Sequence, residues 1–419
     1  MATTAGSLKA TLPPHAENLG RAILDRVAAS PDRRAFMSPG PADDWSVSYT
    51  WREAGDEMMK LAAGLLALGL QLEDRVAIAS NTRTEWIFAD GAVMLAGGAN
   101  TTIYPSTADD DFAYIMSDSG SRYLIAEDQK QADKALHQRD QLPDLTKIIL
   151  IDGEGDGDFV ISWNELRQLG VDHLAKEPKA IEERVGQLTG DSLATMIYTS
   201  GTTGRPKGVE LPHSNWVFMG ASIQALDILH EPDLHFLWLP LSHVFGKVLL
   251  AGQYQVGWTT ATDGRVPKNI KAKQRAGKSA GPFAGIQMAI ADKLVFSKIR
   301  AATGGNIKVL VSGSAALNGD VARWFDAAGL PILEGYGLTE NTAAACITRP
   351  DDIVFGTIGQ PFPGTEVKIA DDGEVLLRGP HIMRGYRNLP EANAETLLPD
   401  GWLATGDIGE LDSAGRLKI

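Results

Sequence analysis

From Arg75 onward, short apolar runs alternate with longer stretches of helical periodicity, and that succession leaves few architectures open. Arg75–Ser80 reads as a buried strand, Thr84 to Gly97 as a helix, Ala99–Tyr104 as a strand and Thr107 to Ser117 as a helix. Arg122–Glu127 and Lys147–Asp152 are two further strand candidates. Strands that alternate with helices predict an α/β sheet covered by helices on its faces. A second round begins after the polar stretch Glu177–Asp191, with Leu193–Thr199 as a strand and Asn215–Leu229 as a helix. His235–Leu239, Asn306–Ser312 and Leu330–Leu333 follow as strands, and no fixed-period repeat points to a solenoid. Past Asp351 the texture becomes hairpin-like: Glu366–Ile369 and Glu374–Arg378 flank a turn containing Gly373, and Glu410–Leu411 faces Arg416–Ile419.

Composition removes several function classes. The 419 residues carry 39 Lys+Arg against 53 Asp+Glu, a net charge of −14, which disfavours nucleic acid as the main partner. A single cysteine excludes an internal disulfide framework and a cysteine-rich zinc module. Met1 to Pro14 has only Lys9 as a side-chain cation and no apolar core, so no signal peptide is expected and the cytoplasm is the default location. Leu61 to Leu72 is too short to span a bilayer and reads as the end of a core helix. One cationic run stands out, Lys268 to Lys278, with five cations in eleven residues and no acid. It reads as a solvated loop, with a contact to anionic lipid, and so peripheral membrane contact, as the other reading.

The strongest chemical signal is Tyr198-Thr199-Ser200-Gly201-Thr202-Thr203-Gly204-Arg205-Pro206-Lys207-Gly208. It follows a strand and is expected to precede a helix, where backbone amides cradle phosphate oxygens. Glycines allow close approach of an anion, the hydroxyls of Ser200, Thr202 and Thr203 add donors, and Lys207 adds a mobile positive charge. It is not a Walker A loop, because Arg205 and Pro206 separate Gly204 from Lys207, and Gly208 stands where Ser or Thr is required.

This segment resembles the signature loop of the adenylate-forming enzymes: acyl-CoA synthetases, peptide synthetase adenylation domains and luciferases. Glu334-Gly-Tyr-Gly-Leu-Thr-Glu340 is similar to that family's adenine and magnesium motif, and Gly359–Gly364 and Gly401–Asp407 match later motifs in order. Leu239-Pro-Leu-Ser-His-Val-Phe-Gly246 with Lys293–Arg300 looks most like the bacterial long-chain fatty acyl-CoA synthetases. The resemblance runs from about Ala16 onward. It implies an α/β fold: a large composite N-terminal domain of an adenylate-forming enzyme, built of two α/β subdomains over 1–350, with the phosphate loop at 199–208. A β-rich subdomain over 351–419 ends before the hinge, so the small C-terminal domain is expected to be absent and activity impaired without it.

The implied activity is ATP-dependent, Mg²⁺-dependent activation of a long-chain fatty acid to acyl-AMP, then to acyl-CoA, with CoA as cosubstrate. Carboxylate attack on a phosphate joins two anions, so positioning and charge neutralisation must supply the catalysis. By resemblance, Thr199, Ser200, Gly201, Thr202, Thr203, Gly204 and Lys207 hold the β- and γ-phosphates, and Thr339 contacts the α-phosphate. Glu340 would hold Mg²⁺, a hard cation suited to one carboxylate and phosphate oxygens. Glu334, Gly335, Tyr336 and Gly337 would form the adenine wall, Asp407 would accept the ribose hydroxyls, and Ser312 and Gly313 would line the adenine and acyl pocket. His243 would face the acyl carboxylate or gate the acyl pocket. Cys346, among Ala343–Ala345, reads as packing rather than nucleophile.

Two departures from the family pattern are visible. Ser314 stands where the family has a second glycine, and the proline-arginine element of long-chain members is not found between Thr259 and Ala291. An acyl-AMP ligase feeding a carrier protein, an aryl-acid ligase, a non-catalytic acyl- or nucleotide-binding module and, remotely, a luciferase-type enzyme are the competing readings. Monomer and homodimer both stay open.

Overall fold

The computed structural model of the chain describes residues 3–6, 11–40, 42, 44–199, 204–262, 297–302 and 304–419. Its centre is an eight-stranded sheet in the order Gly385–Tyr386, Lys207–Pro212, Leu193–Thr199, Ala99–Ile103, Arg75–Ala79, Ser121–Ala126, Lys147–Leu150, Val160–Ser162. The six strands from Leu193–Thr199 to Val160–Ser162 run parallel, as the alternation in the sequence requires. The other two are antiparallel additions at one edge. A four-stranded sheet joins Leu234–Leu237, Thr259–Thr262, Arg34–Ser38 and Val47–Thr50. A third joins Leu310–Ser312, Ile332–Tyr336, Cys346–Ile347 and Gln360–Pro361, and a fourth joins Thr3–Gly6, Glu366–Ile369, Glu374–Arg378 and Leu403–Ile408.

Local chemistry fixes the helix starts. Thr50 and Glu53 form a capping box at the head of Trp51–Ala67, and Ser162 and Glu165 form another ahead of Trp163–Lys176. These two helices meet where neither carries a side chain. A Cβ added to Gly170 would lie 1.7 Å from the Lys60 carbonyl oxygen, and one added to Gly64 would lie 2.2 Å from that of Leu166. The helix Thr84–Leu95 is buried on every side. It packs against Arg75–Ala79 and Ala99–Ile103 of the large sheet and against Arg34–Ser38 of the second. Trp51, Trp86, Trp216 and Trp258 are the largest fully buried side chains of the core.

The structure moves several boundaries. The phosphate-loop candidate is followed by the strand Lys207–Pro212 and only then by the helix His213–Ala225, so the expected helix start is corrected to a β-hairpin. Lys207 pairs directly with Thr199 across that hairpin. Ladder pairing satisfies the backbone of 207–212 and leaves no helix N-terminus at the loop. The strand expected from Asn306 starts at Leu310, whose amide donates to the Pro331 carbonyl; Pro331 has no amide to extend the ladder. The strand expected over His235–Leu239 occupies Leu234–Leu237. The run Lys268–Lys278 lies outside the described residues. Among the described residues, no helix is long and apolar enough to cross a membrane.

Candidate active site

At one edge of the large sheet, several chain segments converge on a cleft of about 480 Å³. Of the candidate residues, Thr199, Lys207, His243, Gly313, Gly335, Gly337, Thr339 and Glu340 line it. Ser200, Gly201, Thr202 and Thr203 lie outside the described residues. Gly204, Ser312, Glu334, Tyr336 and Asp407 do not contribute to that lining.

The hairpin supplies the cation. Lys207 opens its strand opposite Thr199, and its Nζ stands 4.8 Å from the centre of the Tyr386 ring. Tyr386 was not singled out in the sequence. It sits in the short strand Gly385–Tyr386, in register with Val209, and its hydroxyl donates to Glu340 Oε1 at 2.7 Å. Burial, followed by the Glu340 charge, pushes the Tyr386 hydroxyl far above its ordinary range, so it stays a donor.

The acidic turn follows the strand Ile332–Tyr336. Thr339–Asn341 is a single 3₁₀ turn, closed by the Leu338 amide donating to Asn341 Oδ1 at 2.5 Å. The Met383 amide donates to the Glu340 carbonyl at 2.8 Å. Asn215, buried on the helix that follows Pro212, donates to Thr342 Oγ1 and to the carbonyls of His381 and Ile382. The turn is thereby tied to the element that follows the lysine strand. Glycine is required at 337, where a Cβ would lie 2.3 Å from the Ala343 carbonyl oxygen. At 335 the nearest atom would be 3.8 Å away, so packing does not demand glycine there.

Tyr336 and Asp407 meet beside the cleft, the Tyr336 hydroxyl donating to Asp407 Oδ2 at 2.7 Å. The Asp407 amide donates in turn to Thr405 Oγ1 at 3.1 Å. Ser314, the departure from the family's glycine, has φ +67, a conformation that suits glycine and costs other residues roughly 1 kcal/mol. Cys346 is fully buried opposite Tyr336, and burial pushes its thiol well above its usual range, in keeping with a packing residue.

His243 is the N-cap of the helix Val244–Val256, its Nδ1 accepting the Phe245 amide at 3.2 Å. That bond leaves the ring proton on Nε2. Burial lowers the pKa of the ring, so the neutral form is favoured. One turn further on, Lys247 is buried against Asp90 of the helix Thr84–Leu95.

Glu340 is the candidate metal residue. Its Oε1 is engaged by Tyr386, and no other ion pair or side-chain bond to it occurs among the described residues. Nor, among the described residues, do three or more His, Cys, Asp or Glu gather as a metal cage. One available carboxylate fits Mg²⁺, which commonly takes one or two carboxylates and completes its shell with substrate oxygens and water.

Residues 24–387 match the AMP-binding enzyme family. The chain belongs to that family. Its relatives include the long-chain-fatty-acid–CoA ligase FadD15 of Mycobacterium bovis, 32% identical over 88% of this chain and 68% of that protein. A Mycobacterium tuberculosis protein, the 3-[(3aS,4S,7aS)-7a-methyl-1,5-dioxo-octahydro-1H-inden-4-yl]propanoyl:CoA ligase, is 32% identical over 95% of this chain and 78% of its own length. Fatty acyl-CoA synthetase A of Dictyostelium discoideum is 28% identical, and the chain covers 66% of it. Among solved structures, the N-terminal domain of FACL13 from Mycobacterium tuberculosis superposes with a TM-score of 0.76 at 22% identity. The match covers 96% of this chain and all of that domain. The anthranilate CoA ligase AuaEII, solved with anthranoyl-AMP, gives 0.78 at 23% identity, over 97% of this chain and 78% of that one. The AMP-binding fold is therefore that of the N-terminal domain of adenylate-forming enzymes.

Proposed function

We propose that this chain carries the adenylation site of a long-chain fatty acid–CoA ligase. The observation that carries the reading is the convergence of Lys207, Thr339, Glu340 and neutral His243 on one cleft. The fatty carboxylate oxygen bonds to the α-phosphorus of ATP, the α–β phosphoanhydride breaks, and pyrophosphate leaves with the electron pair. Lys207 neutralises the departing phosphates from a fixed strand position, and the Thr339 hydroxyl donates to the α-phosphate. The Nε2–H of His243 donates to the acyl carboxylate and holds it for attack. Mg²⁺, held by Glu340, supplies charge neutralisation to the polyphosphate when bound. Asp407 accepts the ribose hydroxyls, with Tyr336 at the adenine. CoA thiol then displaces AMP to give the thioester. The chain spans about two thirds of the length of FadD15, so this second step concerns the whole protein.

The test is calorimetry with non-hydrolysable acyl-adenylate analogues of graded chain length, joined by an analogue of the bicyclic propanoyl adenylate. Tight binding that peaks at long chains and weakens on Glu340→Ala and Asp407→Ala supports the reading. A preference for the bicyclic acid reassigns the substrate. No heat from any analogue refutes adenylation.

A further inference from the structure

Lys207 and Glu340 belong to segments more than a hundred residues apart in the chain, yet one side chain touches both. The Tyr386 ring lies 4.8 Å from the Lys207 ammonium, and its hydroxyl bonds Glu340 Oε1 at 2.7 Å. The register explains the first contact. Tyr386 pairs with Val209, and Lys207, two residues earlier on the same strand, shares Val209's face and becomes the diagonal neighbour of the ring. A clasp holds the backbone of Tyr386 itself. Its amide donates to Asn393 Oδ1 at 2.6 Å, and Asn393 Nδ2 donates back to its carbonyl at 2.9 Å.

We infer that Tyr386 is a positioning residue: it fixes the rotamer of the Glu340 carboxylate so that the second oxygen is presented to the metal-bound polyphosphate. This inference rests on the reading of Glu340 as the metal residue. The space around Glu340 makes such a device necessary. Glu340, Tyr386, Leu338 and Thr405 border a second cavity of about 270 Å³ as well as the cleft, and Glu374 and Glu395 line that second cavity. Released from Tyr386, the carboxylate gains room to turn into the second cavity and away from the phosphates. One bond to one oxygen removes that freedom and leaves the other oxygen unoccupied.

The experiment is calorimetric titration of ATP into the chain at graded Mg²⁺, without acyl substrate, so that no turnover is read. Tyr386→Phe keeps the ring over Lys207 and removes only the hydroxyl. It should raise the half-saturating Mg²⁺ about 10-fold, the loss expected of one hydrogen bond to a charged group, while Mg²⁺-free ATP binding and the melting temperature stay as in the parent. Asn393→Ala, which loosens the clasp without touching Glu340, should move the Mg²⁺ requirement in the same direction by a smaller factor. It also serves if Tyr386→Phe does not fold. Glu340→Gln is the control. If it shifts the Mg²⁺ requirement while Tyr386→Phe and Asn393→Ala do not, the positioning role is overturned and the metal reading stands. If Glu340→Gln leaves the requirement unmoved, the metal reading falls and the inference with it.

Discussion

Replacing Lys247 by methionine tests how the helix that presents His243 is held. Lys247 and Asp90 are each 2% exposed and form an ion pair in the core. The ammonium also lies between two indoles, 5.3 Å from the Trp216 ring and 5.9 Å from that of Trp86. Asp90 Oδ1 takes a second bond, from Asn100 Nδ2 at 2.7 Å. Burial lowers the lysine pKa, and Asp90 opposes that shift. Methionine fills a similar volume but leaves the carboxylate, among the described residues, with Asn100 alone as a side-chain hydrogen-bond partner. Breaking one side of a buried pair costs about 3–5 kcal/mol. The double variant Lys247→Met/Asp90→Asn removes both charges and should recover to within about 1–2 kcal/mol of the parent, because desolvation of the pair offsets much of its attraction. Urea unfolding of the four proteins gives the coupling energy from the midpoints at unchanged slope. A single variant that costs less than about 1 kcal/mol, or a double variant as unstable as the sum of the singles, refutes the argument. The Lys247 amide bonds the His243 carbonyl at 3.2 Å, a backbone bond that methionine keeps, so the variant reports on the buried side-chain pair alone.

Gly170→Ala drives a methyl into the Lys60 carbonyl at the contact of two long helices and should cost about 3 kcal/mol, read as a fall in melting temperature; an unchanged melt would show that the helices separate freely. His213 and His381 are fully buried and His235 is partly buried, and burial lowers their pKa to about 3, 3 and 4. Below an unfolded pKa of about 6.5, the unfolded chain takes up protons that the folded chain refuses. Stability is therefore full above that pH and falls as pH drops toward 4, by at most about 1.4 kcal/mol per pH unit for each ring. His381 stacks on Phe218 at 5.4 Å, and His381→Phe should flatten this acid slope; an unchanged slope would mean that the ring is not what titrates. Asp407→Ala should lower nucleotide affinity about 10-fold or more, for two lost charge-assisted bonds, and Tyr336→Phe by less, both by calorimetry; the reverse order would remove Asp407 from the ribose.

The parallel core was legible because its strands are short apolar runs bounded by turn residues. Leu193–Thr199 and the hairpin Glu366–Ile369/Glu374–Arg378 stand at the expected boundaries. Lys207–Pro212 was not legible, since Gly208 and Pro212 at its ends carry turn chemistry and its pairing is supplied by a preceding strand. Eight of the motif residues line one cleft, but the contacts that hold it join distant positions. Asp90 meets Lys247 157 residues away, and Tyr386 meets Glu340 46 residues away, and no local pattern encodes either. Ser314 is the converse case, a departure from the pattern whose cost became visible only as a positive φ.

The hairpin register has a consequence for how this site can change over time. Lys207 and Thr199 face each other in an antiparallel ladder, so the seven residues 200–206 begin and end at neighbouring points. Lengthening such a connection from seven to nine residues costs only about 0.2 kcal/mol of closure entropy. The connection can thus be lengthened, shortened or rewritten while Lys207 keeps its address in the sheet. Change within residues 200–206 and constancy of Lys207 are compatible, because the place of the lysine is set by its pairing with Thr199.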